Sequence, residues 1–530
     1  MTKGIATVGL LLLGAAAFVD RAPAQQAAPA PTLDPAVFAR VGAVDERFQS
    51  YNVEMVEVTG GRFWRHYGPE LDALLQQPPA ATPGSGAPAG MTPALFEQRP
   101  PIDLADPRLR TMAAALGPAY VRVSGTWANS TWLADSDSPP SAPPKGFNAV
   151  LTRRQWKGVL DFVRAVDGEL VTSFATSAGT RDESGAWTSA AARAFVDYTR
   201  SLGGRIAAAE FMNEPNLAAM GGAPAGYDAA AYGRDFKLFR AFAREAAPEM
   251  LILGPGSVGE GGLLSSGRLV GLASRDLLSA AGPGVDAFSY HHYGAVSKRC
   301  ARFGQGGTTP DEALAEQWLA RTDATFGFYK SLRDELEPGK PIWLTETADA
   351  ACGGNPWGAS FLDSFRYLDQ LGRLARQGVQ VVAHNTLAAS DYGLVDDRTL
   401  APRPNYWAAV LWRRLMDKTV LDAGLPSRAG LHTYAHCLRG APGGVALLVI
   451  NSDKTLTQAL RIPAASKRYS LSSTDPEGAR VRLNGDELQW NGKGDLPRLE
   501  AVSTAKGDVS FAPATISFLA VPGASNGACR

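Results

Sequence analysis

The stretch Ile206-Ala207-Ala208-Ala209-Glu210-Phe211-Met212-Asn213-Glu214-Pro215-Asn216 runs from a short apolar segment into a polar Asn-Glu-Pro turn. Such a segment reads as a buried strand, and the proline ends its hydrogen-bond ladder. Helical periodicity precedes it at Ser189–Leu202 and follows it at Ala229–Ala246. A strand set between helices implies parallel strands joined by crossover helices. The alternation extends in both directions. Apolar, β-branched runs recur at Tyr51–Val58, Ala119–Val123, Glu169–Phe174, Ile206–Met212, Met250–Gly254, Val285–Tyr290, Pro341–Thr345 and Val379–His384. Helical patterns separate most of them, among them Arg153–Val166, Pro310–Leu336 and Ser360–Gln377. Eight such units predict an α/β fold built on a (β/α)8 TIM barrel, with a doubly wound open sheet as the alternative. At 530 residues the chain is long enough for a barrel and a second domain.

After Trp412 the texture changes. Short segments bounded by turn signals occur at Leu431–Cys437, Gly444–Asn451, Thr457–Ile462, Lys467–Ser472, Glu487–Gln489 and Thr515–Val521. They predict a C-terminal antiparallel β-sandwich domain, to which Val37–Val44 adds a strand. Lys3, the apolar run Gly4–Val19 and the small-x-small site Ala22-Pro23-Ala24 read as a cleaved export signal. The expected organisation is therefore a signal peptide at 1–24, a disordered start and sandwich strand at 25–48, the catalytic barrel at 49–408 and the sandwich at 409–530. Gln76–Pro101 and Ser136–Lys145 read as loops rich in Pro, Gly, Ala and Ser.

Lys plus Arg and Asp plus Glu both number 52, so the formal net charge is zero. Bulk charge gives no reason to expect a nucleic-acid or membrane-surface partner. With no membrane anchor, the protein is expected to be secreted or periplasmic, and a monomer. Its four cysteines, Cys300, Cys352, Cys437 and Cys529, allow three pairings, and disulfides suit an exported protein. His432 and His436 lie near Cys437, but no second cysteine stands close enough to complete a zinc set, and no metal is expected.

The C-terminal ends of barrel strands form the active-site face of this fold. Glu214 falls there after strand four. Trp343-Leu344-Thr345-Glu346-Thr347 closes strand seven in the same way. Two glutamates at these ends point across one mouth. Retaining glycosidases need two carboxyls about 5–5.5 Å apart, and inverting ones about 6.5–9.5 Å. His291-His292-Tyr293 ends strand six. A tyrosine there can donate to the nucleophile, and a histidine can bind the same carboxylate or a sugar hydroxyl. Adjacent strand residues face opposite ways, so the two histidines do not form a metal pair. Ser390-Asp391-Tyr392-Gly393-Leu394-Val395-Asp396 follows strand eight as a polar turn. Trp127, Trp357, Tyr392 and Tyr406 are candidate sugar platforms.

With these segments in order, the chain resembles glycoside hydrolase family 79, the heparanase-like β-glucuronidases. The resemblance runs through Leu109–Thr126, Asn213–Asn216, Ser289–Tyr293, Thr345–Thr347 and Phe361–Asp396. It implies double displacement with retention, no cofactor, Glu214 as acid/base and Glu346 as nucleophile. It further implies that Asn213 meets the sugar 2-hydroxyl, that His291 and Tyr293 support the nucleophile and substrate, and that Glu54 contacts the sugar. Tyr392 and the amides of Gly353 and Gly354 would hold the uronate carboxylate, since oriented backbone donors bind anions without arginine. Cys300 and Cys352 follow strands six and seven and are expected to bridge the rim of the site. Cys437 and Cys529 would then pair within the sandwich, as the resemblance also implies. The basic linker excised from vertebrate members has no counterpart, so a single chain without proteolytic activation is expected.

The expected function is hydrolysis of β-D-glucuronides or glucuronate-containing, heparan-sulfate-like glycans. Neutral net charge weighs against dependence on a heavily sulfated polymer, although Lys298, Arg299 and Arg302 offer a basic rim. The alternatives are a retaining glycosidase for neutral sugars, such as a β-xyloside or β-glucoside, and a non-catalytic glycan-binding protein. The joint presence of Glu214, Glu346, Asn213 and Tyr293 argues against the last.

Overall fold

A computed structural model describes residues 1–2, 30–76, 91–263, 271–303 and 308–530, with the side chains of 302 and 303 left aside. The expected signal peptide and most of the loop that begins at Gln76 lie outside the described residues.

Eight parallel strands close into a barrel in chain order: Gln49–Glu54, Ala119–Ser124, Gly168–Ser173, Ala208–Glu210, Leu251–Val258, Ala287–Val296, Ile342–Ala351 and Val381–His384. The eighth pairs with the first, Val382 opposite Gln49. The crossover helices cover the outside with amphipathic faces. Arg153–Ala165, for example, buries Trp156, Val159, Leu160, Phe162 and Val163 while its charged residues face water. Thr152 and Gln155 cap it reciprocally.

Strand limits differ from the sequence reading: strand four shortens to Ala208–Glu210 and strand five extends to Val258. Strand one stops at Glu54 rather than Val58, because Met55–Thr59 turns into a short helix and the Glu57 carboxylate accepts the Glu54 amide at 2.7 Å. Strands six and seven are longer than expected and pair from Phe288/Ile342 to Val296/Ala351. Glu346 therefore lies within a ladder instead of closing one. A bulge between Tyr290 and His291 sets His291 beside Glu346. The irregularity lets Thr345 and Glu346, neighbours in sequence, both reach the barrel interior, which strict alternation forbids. The expected helix from Pro310 to Leu336 is a single turn at Glu316–Leu319 followed by Arg321–Leu336. Within the Gln76–Pro101 loop, Phe96–Arg99 is a strand paired with Gly61–Trp64.

The C-terminal domain is an antiparallel sheet whose main strands run in the order Arg40–Ala43, Met416–Leu421, His432–Leu438, Val445–Asn451, Thr515–Val521 and Ser466–Ser472. Its central strand alternates two buried faces. Val445, Leu447 and Val449 pack on a second, two-stranded sheet, Gln458–Ile462 with Gly507–Phe511. Ala446, Leu448 and Ile450 pack into the barrel's core. The expected boundary at 408/409 falls inside the helix Pro404–Leu415. That helix completes the last β/α unit, and the sheet begins at Met416. Gly372 lets Tyr434 of the sheet lie against the helix Phe361–Arg376, since a Cβ there would sit 2.3 Å from its ring. The structure contains two disulfides, Cys300–Cys352 and Cys437–Cys529. Among the described residues, no helix is long and apolar enough to cross a membrane.

Candidate active site

A cleft opens at the C-terminal ends of the barrel strands. Its floor is organised around Arg122 of strand two, a guanidinium only 1% exposed. Burying such a charge is strongly unfavourable unless it is fully paired. Arg122 Nη1 donates to Glu346 Oε2 at 2.8 Å. Its Nη2 donates to Glu210 Oε2 at 2.8 Å and to Asn213 Oδ1 at 2.8 Å. The other oxygen of Glu346 accepts from the Tyr293 hydroxyl at 2.6 Å. Burial pushes Glu346 up, but His291 and Arg122 and the Tyr293 hydrogen bond outweigh it, and the carboxyl is held below its ordinary range.

Glu214 sits at the turn after strand four in the left-handed region (φ 48°), a costly conformation for a non-glycine residue. Pro215 follows, and the Leu217 amide donates to the Glu214 carbonyl at 2.8 Å. Asn129 clamps the preceding residue: the Asn213 amide donates to Asn129 Oδ1 at 2.8 Å and Asn129 Nδ2 donates to the Asn213 carbonyl at 2.9 Å. Burial first, and the Glu346 charge in addition, raise Glu214 above the usual glutamate range, although His291 opposes this. The two carboxyls are thus driven in opposite directions.

His291 stands between them. Its Nδ1 is 3.1 Å from Glu214 Oε1 and its Nε2 is 3.2 Å from Arg122 Nη2. In the neutral ring, Nε2 meets arginine, which has only donors, with its lone pair, and the proton on Nδ1 is donated to Glu214. Burial lowers the His291 pKa, but Glu346, Glu214 and Glu210 outweigh it and raise it. One ligand atom each from Glu214, His291 and Glu346 lie within 4.8 Å of one another, a spacing that suits a metal ion. Arg122 already presents a positive charge to the same Glu346 oxygen, which disfavours a cation there.

Glu54 forms another part of the floor. Its Oε1 accepts from Asn385 Nδ2 at 3.1 Å, and the same amide lies 3.0 Å from the Tyr293 hydroxyl and 3.2 Å from the Tyr392 hydroxyl. Gly125 makes room for Glu54: a Cβ there would fall 1.6 Å from Oε2, and its φ of +95° also favours glycine. Burial, Glu346 and Glu57 raise Glu54 well above the normal range, which favours a neutral carboxyl.

The cleft thus brings together Glu54, Asn213, Glu214, Tyr293, Glu346 and Tyr392, with His291 beneath. Other expectations fail. The Gly354 amide already donates to the Ala350 carbonyl at 3.1 Å, which leaves only the Gly353 amide of the expected pair as a backbone donor. His292 faces outward and pairs with Thr325 at 3.0 Å. Trp357 is buried with its indole N–H on the Thr308 carbonyl, and Tyr406 is buried with its hydroxyl on the Met112 carbonyl, so neither meets a sugar. Arg299 is no basic rim. It is buried, pairs with Asp391, and donates to the carbonyls of Arg65, Cys352 and Gly354, tying the site's loops together.

The sequence reading missed Arg122, Glu210, Asn129 and Asn385. A signal existed for two of them. Arg122 interrupts an apolar strand at an inward position, and Glu210 does the same in Ala208–Glu210, where uncompensated charges are not tolerated. Asn129 and Asn385 lie in loops whose partners are remote in sequence.

A closed barrel with paired, oppositely tuned carboxyls at its mouth is the apparatus of a glycoside hydrolase, and relatives agree. The model of "Glycosyl hydrolase family 79, N-terminal domain" matches residues 146–372. Mouse heparanase is 27% identical over 80% of this chain and 88% of its own. Baicalin-β-D-glucuronidase of Scutellaria baicalensis is 29% identical over 42% of this chain and 44% of its own. A 4-O-α-L-rhamnosyl-β-D-glucuronidase from Fusarium oxysporum shares the fold, with a TM-score of 0.61 at 13% identity over 93% of this chain and 99% of that one. The chain is a glycoside hydrolase similar to the heparanase-like members of family 79.

Proposed function

We propose that the protein is a retaining β-D-glucuronidase with Glu214 as acid/base and Glu346 as nucleophile. The observation that carries this reading is the carboxyl spacing: oxygens of Glu214 and Glu346 approach within 4.8 Å. That separation suits direct attack by a carboxylate and leaves no room for the intervening water an inverting enzyme needs. Glu214, protonated, gives its proton to the glycosidic oxygen as the bond to C1 breaks. Glu346, ionised, attacks C1 from the opposite face and forms a glycosyl ester. Esterification removes the Glu346 charge, one of the causes that raise Glu214. Glu214 then becomes the better base, takes a proton from water, and the water oxygen displaces Glu346 from C1. Asn213, its Oδ1 held by Arg122, keeps Nδ2 to donate to the 2-hydroxyl.

The glucuronide assignment is supported by the activity for which the Scutellaria relative is named and by Glu54. A uronate carboxylate beside an ionised Glu54 would be repelled, whereas a neutral Glu54 donates a hydrogen bond, with the Tyr392 hydroxyl beside it. The Gly353 amide is the remaining candidate backbone donor. The two disulfides support an oxidising compartment.

The test is hydrolysis of 4-nitrophenyl β-D-glucuronide beside the β-glucoside and β-xyloside, with the anomer released first read by proton NMR. Preference for the glucuronide with β-glucuronic acid appearing first is expected. Preference for a neutral sugar overturns the uronide assignment, and first release of the α-anomer overturns retention.

A further inference from the structure

The outer wall of the cleft differs in character from its floor. Four half-buried apolar side chains line it: Trp127, Leu217, Met220 and Leu263. Among the described residues that line the cleft, none is Lys, Arg or His. The position of this wall is informative. Leu217 and Met220 stand three and six residues after Glu214 on the same loop. The acid/base group must sit beside the leaving-group oxygen, so side chains on its own loop flank the leaving group. The wall is also fixed. Asn129 joins the Trp127 loop to Asn213 through two hydrogen bonds. Asn216 Nδ2 donates to the Val258 carbonyl at 2.8 Å, and its Oδ1 accepts the Val258 amide at 3.1 Å. An apolar wall held by such clamps meets its ligand without losing much side-chain entropy.

We propose that this wall is the aglycone subsite, and that it takes a flat, apolar, aromatic aglycone rather than a further sugar of a sulfated glycan. This rests on the glucuronidase reading above. A sulfated sugar placed here would bring anions towards Glu214 and Glu346, with no cation among the described lining residues to meet them. An aromatic ring exchanges water-exposed apolar surface for contact with Leu217, Met220 and Trp127.

The experiment measures kcat/KM of the full chain for phenyl, 2-naphthyl and 4-sulfophenyl β-D-glucuronide, whose phenols have similar acidity, and for a heparan-sulfate oligosaccharide. The second ring of naphthyl buries roughly 50 Å² of apolar surface, which corresponds to about tenfold in kcat/KM. Naphthyl above phenyl above sulfophenyl is the expected order, and Met220→Lys should compress the naphthyl-to-phenyl ratio and lift sulfophenyl relative to phenyl. Equal rates for phenyl and naphthyl, or faster cleavage of the oligosaccharide than of naphthyl glucuronide, overturn the proposal. If no glucuronide is cleaved but β-glucosides are, the uronide reading falls. The phenyl-to-naphthyl comparison is then made on glucosides, where naphthyl preference still supports the subsite and its absence overturns it.

Discussion

His432, on the first long strand of the C-terminal sheet, is fully buried against the barrel helix Phe361–Arg376. Its Nδ1 meets Asp369, its Nε2 lies 2.8 Å from Glu316 Oε2, and Arg373 completes the cluster through Asp369, Asp323 and Glu316. Burial works against a charged imidazole, but Asp369 and Glu316 prevail and push its pKa up to about 9 from 6.5. At 1.36 kcal/mol per pH unit the charged form contributes about 3 kcal/mol to folding. A group raised in the folded state gives its full contribution below its unfolded pKa and loses it as pH climbs through the folded value. His432→Gln should therefore cost about 3 kcal/mol at pH 6 and under about 0.5 kcal/mol at pH 9.5. Asp369 keeps Arg373 and the Tyr434 hydroxyl in the variant, so no carboxylate is left unpaired. Urea unfolding of both proteins at the two pH values, followed by tryptophan fluorescence, measures the difference. A loss of equal size at both pH values would refute the argument, because it would assign the effect to packing rather than to charge.

The rate should follow a bell in pH. Its acid limb reports protonation of Glu346 and lies below the ordinary glutamate range, and its basic limb reports ionisation of Glu214 and lies above it. Tyr293→Phe removes a hydrogen bond that favours ionised Glu346, so the acid limb of kcat/KM should move to higher pH while the basic limb stays; an unmoved acid limb in the folded variant counts against Tyr293's role. Arg122→Met leaves Glu210 and Glu346 buried without their cation, and a stability loss of about 3–5 kcal/mol is expected in thermal or urea unfolding. Glu346→Gln should lower kcat by roughly 10⁴-fold or more while binding of glucuronic acid, read by calorimetry, persists.

The eight strands and their order were legible because a parallel barrel buries both faces of each strand, and apolar runs between amphipathic helices have few other readings. That Glu214 and Glu346 meet in one cleft was legible because strand ends on one face of such a barrel surround a common mouth. Strand limits were less legible, since the extended pairing of Ala287–Val296 with Ile342–Ala351 depends on a partner strand and not on local composition. The sequence by itself therefore determined the architecture and pointed to the two carboxyls proposed to react, since both follow from periodicity and position along one chain. Only the tertiary structure decided the protonation of those carboxyls. It set Arg122 and Tyr293 on Glu346, put His291 between Glu346 and Glu214, buried Arg299 that had read as surface charge, and occupied the Gly354 amide within the chain. Electrostatic tuning and hydrogen-bond commitment depend on groups brought within a few ångströms from distant strands, and separation along the chain carries no record of those distances.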